Sequence, residues 1–231
     1  MIDVRRQEDH FHHERSWLKT DWHFSFSHYR DPDNMNFGPL RVVNNDWIDG
    51  GGGFPTHSHD NMEIITWVIE GSLVHEDSTG STETIGRGGV QTMSAGTGIS
   101  HSEYNASQSD RLHLIQVWIE PEEHGVDPRY EDQEFTDDQL EDRWTPIASG
   151  REDAATSIHQ DATMFVRHAE DGDRFEYGLE PERRGYLVVM DGAVSLNDSS
   201  LTEGDAGRIK NESTLTFEVE GSAELMLMDL P

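Results

Sequence analysis

Two stretches of this chain carry one pattern, and that pattern restricts the fold. Ile65-Thr66-Trp67-Val68-Ile69-Glu70-Gly71-Ser72-Leu73-Val74-His75 and Tyr186-Leu187-Val188-Val189-Met190-Asp191-Gly192-Ala193-Val194-Ser195-Leu196 each read as a buried run, an acid–glycine turn and a returning run. Continuous β-branched and aromatic runs of this length fit strands buried on both faces. Gly204-Asp205-Ala206-Gly207 follows the second copy where Gly86 to Gly89 follows the first. A weak repeat of strands and turns predicts duplicated β-barrels. No stretch before residue 120 carries a long apolar stripe at helical spacing, so the first half reads as antiparallel β. At 231 residues the chain can build one large domain or two smaller ones. The expected division is an N-terminal barrel over residues 1–135 and a C-terminal barrel over residues 136–231.

Further strands are expected where Trp22, Phe24 and Phe26 alternate with polar residues, and at Leu40 to Val43, Val90 to Ser94, Leu112 to Ile119, Leu215 to Val219 and Ala223 to Leu230. Asp31-Pro32-Asp33-Asn34 reads as a turn. Residues 120–142 hold eleven acids and one base, Arg129. That run is expected to be a solvated connector or an acidic surface helix bridging the two halves.

Charge bounds the partners. There are 46 acidic residues against 17 basic ones, a net charge of −29. Such a surface repels itself at low salt, and the repulsion largely disappears at about 1 M, where the Debye length is about 3 Å. The expectation is a halophilic protein working in a saline cytoplasm. Direct nucleic-acid binding is disfavoured, because it needs basic patches. The chain has no cysteine, which excludes disulfides, thiolate catalysis and Cys-ligated metal sites. No run resembles a signal peptide or a membrane span, so an intracellular soluble protein is expected.

The chemistry concentrates between Gly51 and Asn105. His57-Ser58-His59 and His101-Ser102-Glu103 are both i, i+2 pairs, and side chains two apart on a strand leave the same face. Two such pairs on facing strands aim three imidazoles and a carboxylate at one point. Nitrogen and oxygen donors without sulfur suit one divalent transition metal, Fe(II), Mn, Ni, Co, Zn or Cu(II), without ranking them; Fe(II) is the first expectation. Four ligands leave positions of an octahedron open, as a catalytic site requires. Spacing alone leaves Glu63 as an alternative carboxylate ligand, because Asp60-Asn61 can turn the chain toward the metal. The His10, His12 and His13 cluster is expected to be solvated. His159 and His168 are expected to be surface or structural residues, and His75 and His113 structural ones, with a role in supporting the metal ligands left open.

The spacing also resembles the cupin signature: Gly51, then His57-x-His59, Glu63 and Gly71, followed by Gly98-x-x-His101-x-x-x-Asn105. The first motif is one residue longer than the common form, and the second lacks its usual proline. The run Met93-Ser94-Ala95-Gly96-Thr97-Gly98-Ile99-Ser100-His101-Ser102-Glu103-Tyr104-Asn105 is very similar to the hallmark of the pirin family. Trp17-Leu18, Asp31-Pro32, Gly53-Phe54, Met62-Glu63-Ile64, Leu112-His113-Leu114 and Pro128-Arg129-Tyr130-Glu131 also resemble that family, although Ser58 stands where pirins commonly have proline. The resemblance implies an all-β bicupin, two tandem jelly-roll barrels with metal in the N-terminal one only. It implies His57, His59, His101 and Glu103 as ligands, with Glu63 left to a supporting role.

Bacterial members of the family include quercetin 2,3-dioxygenases. The resemblance therefore implies ring opening of a flavonol by O2, with a small aromatic substrate, no membrane and no direct nucleic-acid partner, and Glu103 as catalytic base. The alternative it implies is a redox-responsive regulatory binding protein that takes a protein partner. Strand edges that cover one another within one chain favour a monomer.

Overall fold

The apolar runs fold into antiparallel strands in the computed structural model, which describes residues 1–231. Almost the whole chain is β, with one short α-helix at Asp137–Leu140. No helix is long and apolar enough to cross a membrane. The strands belong to two compact units: one of residues 11–135 with 155–160, the other of residues 1–10, 136–154 and 161–231.

The first unit holds two sheets. One is ordered Arg129–Glu134, Gly89–Ser94, Glu63–Glu70, Leu112–Ile119, Leu40–Ile48, Leu18–Trp22, Phe11–Arg15. The other is ordered Gly53–His59, Ile99–Asn105, Ser72–Asp77, Thr82–Gly86. Ile48, Val68, Leu73, Ile85, Leu112 and Leu114 are buried together in one cluster, and Ile64, Met93, Ala95 and Ile99 in a second.

In the second unit the strands run Ile2–Arg5, Ala206–Lys210, Arg184–Leu196, Thr214–Leu230, Thr163–Ala169, Thr145–Ser149. Arg174–Gly178 pairs with Thr214–Leu230, and Ser199–Thr202 with Arg184–Leu196. Its apolar core packs Phe165, Leu187, Val189, Phe217, Leu225 and Leu227 together.

The repeat is visible in the backbone. Gly71 and Gly192 both adopt left-handed conformations, with φ of 81° and 80°. In the first copy the Gly88 N–H donates to the Val68 carbonyl at 2.9 Å, and in the second the Gly204 N–H donates to the Val189 carbonyl at 2.9 Å. Val68 and Val189 occupy the same place in the two sequence stretches.

Four expectations need correction. The barrel division at 135/136 requires two exchanges. Residues 1–10 belong with the C-terminal unit, because Ile2 to Arg5 pair with Ile209 to Ala206. Residues 155–160 belong with the N-terminal unit, tied by Thr156 to Thr92 at 2.6 Å and by the Ser157 carbonyl to Arg129 at 2.8 Å. The aromatic alternation after Trp22 is not a strand: the ladder ends at Trp22. The next residues form a loop pinned by the Ser25 hydroxyl, which donates to the Asp31 carbonyl at 2.9 Å. The strand at Leu40 runs on to Ile48 despite its polar Asn44-Asn45-Asp46 segment. The acidic run is not only a connector, since Arg129–Glu134 is an edge strand paired with Gly89–Ser94. An acidic edge also discourages pairing with another chain.

Candidate metal centre

The Gly53–His59 and Ile99–Asn105 strands are antiparallel neighbours, with His57 directly opposite His101 and His59 opposite Ile99. Beyond that pair the register shifts, and Glu103 stands opposite Phe54. Pro55 and Thr56 therefore face the single residue Ser102. This β-bulge suits proline, which has no N–H to contribute to a ladder.

The ring nitrogens of His57, His59 and His101 lie within 4.8 Å of one another. His101 also belongs to a second group of the same span, with His75 and Glu103. His57, His59 and His101 form one group, and Glu103 enters the second one, which shares only His101 with the first. Glu63 is elsewhere: it accepts a hydrogen bond from the Ser94 hydroxyl at 2.6 Å and lies 3.4 Å from His159 Nδ1. It belongs to neither of the two groups around His101.

Proton positions follow from the neighbours. His57 Nδ1 donates to the Pro55 carbonyl at 2.9 Å, so its Nε2 carries a bare lone pair. His75 Nε2 lies 3.0 Å from Asp77 Oδ2, and His75 Nδ1 lies 3.5 Å from His101 Nδ1. With Asp77 accepting from His75 Nε2, the bare Nδ1 of His75 faces the Nδ1–H of His101. That leaves His101 Nε2 bare as well. The two bare Nε2 atoms are 3.1 Å apart. Two lone pairs at that distance repel unless a proton or a metal ion lies between them. Burial, reinforced by the neighbouring imidazoles, lowers His59 to about 4 and His101 to about 3. His101 therefore takes no proton at neutral pH. Two nitrogens bound at ~2.1 Å and at right angles would be ~3.0 Å apart. The donor set fits a divalent metal ion.

Glu103 is held from the opposite sheet. Its two carboxylate oxygens accept from Gln91 Nε2 at 2.7 Å and Gln116 Nε2 at 2.9 Å. The amide orientations are fixed in turn, because Trp118 Nε1 donates to Gln116 Oε1 at 3.0 Å and the Tyr130 hydroxyl to Gln91 Oε1 at 3.3 Å. Tyr130 also stacks on His75 with ring centroids 4.5 Å apart. Sequence reasoning missed Gln91, Gln116, Tyr130 and the Asp77 link. Gln91 and Gln116 are single amides inside the apolar runs Val90 to Ser94 and Leu112 to Ile119, which was the available signal.

A cavity of about 420 Å³ opens on His57, His59 and Glu103. Trp22, Phe26, Phe54 and Trp118 wall it, with Asn44, Asp46 and Gln116 as further polar lining. The aromatic wall is continuous. His59 meets Trp118 edge-on at 4.9 Å, Trp118 meets Phe26 at 5.3 Å, and Phe26 meets Trp22 at 5.2 Å. His13 also lines the cavity, so the N-terminal histidines are not all solvated. His12 instead bonds Asp21 at 2.7 Å. His113 is structural: its Nε2 bonds Asn45 Oδ1 at 2.6 Å and its ring stacks on Trp47. His168 lies between Asp137 and Glu224, at 3.6 and 3.7 Å.

Two β-barrel units, one of them with three converging imidazoles beside an anchored carboxylate, define a bicupin. Residues 3–119 match the Pirin family, and residues 147–230 match the quercetinase C-terminal cupin domain. The chain belongs to the pirin family. It is 39% identical to a protein of Escherichia coli K12 named quercetin 2,3-dioxygenase, over 100% of this chain and 99% of that one. It is also 39% identical to a pirin-like protein of Caulobacter vibrioides, over 94% of each. The crystal structure of the bacterial pirin YhhW from Escherichia coli in complex with nickel(II) superposes with a TM-score of 0.94 at 38% identity, covering 100% of this chain and 99% of that one.

Proposed function

We propose that this protein is a metal-dependent dioxygenase that opens the ring of a flavonol such as quercetin with O2 and releases CO. The observation that carries the reading is the pair of bare Nε2 atoms on His57 and His101, 3.1 Å apart, with His57 on the wall of an aromatic cavity. The relatives named quercetin 2,3-dioxygenase support it. His57, His59 and His101 would hold the ion, with Glu103 as the fourth ligand and Fe(II) as the first choice of metal. The metal supplies Lewis acidity toward the flavonol 3-hydroxyl and an open position for chemistry.

The chain's own residues do the rest. Trp22, Phe26, Phe54 and Trp118 enclose a flat ring and exclude water from it. Glu103 accepts the 3-hydroxyl proton on its carboxylate, which the Gln91 and Gln116 amides hold in place. The Asp77–His75 pair keeps His101 in the tautomer that presents Nε2.

Elemental analysis of the purified protein, followed by O2 uptake with quercetin in high salt, tests this. One equivalent of metal and flavonol-dependent uptake are expected. His57→Ala should lose both, and Glu103→Gln should lose uptake. Full turnover by Glu103→Gln removes the base role, and uptake that survives metal removal removes the reading.

A further inference from the structure

The Leu40–Ile48 strand carries three buried polar residues in succession, Asn44, Asn45 and Asp46. Asn45 has its partner in His113. Asn44 and Asp46 lie two apart, so they share the other face, and both line the cavity that opens on the histidines. Asn44 Oδ1 and Asp46 Oδ1 are buried with no hydrogen-bond partner. Each residue is only 4% exposed. Buried acceptors are normally paired, because otherwise nothing offsets their lost hydration. Two unpaired acceptors side by side on one cavity wall are poorly explained by folding alone and well explained by a ligand that brings donors.

The rest of the lining narrows that ligand. Trp22, Phe26 and Trp118 offer flat apolar faces, and Arg15 is the one arginine or lysine present. A flat ring carrying hydroxyl groups satisfies both walls. A carboxylated ring brings an acceptor to a wall of acceptors.

We infer that Asn44 and Asp46 determine specificity in this cavity by accepting hydrogen bonds from ring hydroxyls other than the one at the histidine cluster. The cavity therefore selects a polyhydroxylated aromatic over its deoxy counterpart. The inference rests on the reading of the cavity as a flavonol site. Burial pushes Asp46 up to about 7, against a hydrogen bond from Thr20 and with smaller contributions from the Glu103 and Asp21 carboxylates, so the carboxyl is short of donors at its Oδ1. A site built to bond a substrate hydroxyl discriminates strongly against the analogue without it, because its own buried groups are then left unpaired.

The test is equilibrium binding, read by quenching of the tryptophans that line the cavity. Quercetin is compared with 3-hydroxyflavone, which keeps the reacting hydroxyl and lacks the others. The unaltered protein should bind quercetin at least about tenfold more tightly, a difference of about 1.4 kcal/mol. In Asp46→Leu and in Asn44→Leu that preference should fall toward unity, while 3-hydroxyflavone binds as before. The melting temperature should hold or rise, since leucine removes an unpaired acceptor of similar size. A purely structural role predicts the reverse, a lower melting temperature and an unchanged preference. Asp46→Asn, which keeps one acceptor oxygen, should retain part of the preference.

Equal binding of both ligands by the unaltered protein, binding of neither, or a preference unchanged in both leucine variants overturns the inference. O2 uptake with 3-hydroxyflavone separates it from the proposed reaction. Turnover without a hydroxyl preference removes this inference alone. A hydroxyl preference without turnover of either compound removes the dioxygenase reading alone.

Discussion

Asp77 reaches the histidine cluster through His75: its carboxylate lies 3.0 Å from His75 Nε2, and the other nitrogen of that ring lies 3.5 Å from His101 Nδ1. One buried carboxylate thus sets which nitrogen of a neighbouring ring is free. His75→Phe preserves the stacking on Tyr130 and cannot accept from His101. Metal affinity should fall by roughly 10–100-fold, the usual effect of losing such a support. Competition against a chelator measures it, with circular dichroism as the check on folding. Unchanged affinity would show that the link is idle.

Gln116 orients Glu103 without belonging to the histidine cluster. Gln116→Met keeps the length of the side chain and removes its hydrogen bonds to Glu103 and Trp118. Turnover should drop by roughly 10–100-fold while metal content stays at one equivalent. A variant that loses metal and turnover together would place Gln116 in the coordination of the ion rather than in the handling of the proton.

Acid should destabilise the protein through His113. Burial first, then the nearby Arg111 and Lys19 charges, lower this histidine to about 4. Its unfolded value is about 6.5. Between those values the unfolded chain binds a proton that the folded chain refuses, so stability rises with pH across the window. The contribution is fully present above pH ~6.5 and is lost as pH falls toward 4, amounting to about 3 kcal/mol. Chemical denaturation of the unaltered protein and of His113→Gln at pH 7.5 and 4.5 tests it. The variant should lose less stability between the two, and identical slopes would reject the assignment.

Salt should act in the opposite sense to its usual effect on surface ion pairs. With a net charge of −29, repulsion dominates at low ionic strength. Raising KCl from 0.1 M to about 1 M shortens the Debye length from about 10 Å to about 3 Å. The melting temperature should climb by ~5 °C or more, equivalent to about 2 kcal/mol for a chain of this size. A flat or falling melting temperature would discard the saline-interior expectation.

The two repeat glycines make a paired prediction. A methyl group on Gly71 would meet the Arg111 carbonyl oxygen at 2.7 Å, and one on Gly192 the Ser222 carbonyl oxygen at 1.8 Å. Both positions also have left-handed backbone. Gly71→Ala and Gly192→Ala should each cost about 1–3 kcal/mol from backbone strain, with the second worse because its clash is closer. Thermal melts rank them, and a neutral Gly192→Ala would contradict the turn geometry.

Much of this architecture could be read from residue order. The repeat at Val68 and Val189 was visible because burial on both faces demands unbroken apolar runs, and the turns demanded glycine. The histidine pairs were visible because strand alternation puts residues two apart on one face. What escaped did so for physical reasons. The alternation of Trp22, Phe24 and Phe26 imitates a strand, yet part of it serves the cavity wall rather than a ladder. The Arg129–Glu134 strand looks like a solvated acidic run because its side chains are largely exposed and only its backbone is paired. The bulge opposite Ser102 leaves no pattern except Pro55. Asn44 and Asp46 look like ordinary polar positions on a strand, and nothing local reveals that they point inward; Gln91 and Gln116 stand out only as lone amides among their strand neighbours.

All three cluster histidines ride on the Gly53–His59 and Ile99–Asn105 strands of one sheet, whereas the two amides that grip Glu103 come from Gly89–Ser94 and Leu112–Ile119 of the other. Loosening the barrel, by mild urea or by heat short of melting, pulls the carboxylate away from its amides before it disturbs the imidazoles. Swelling should therefore silence the protein in two stages, first a loaded but inert form and only afterwards an ion-free one.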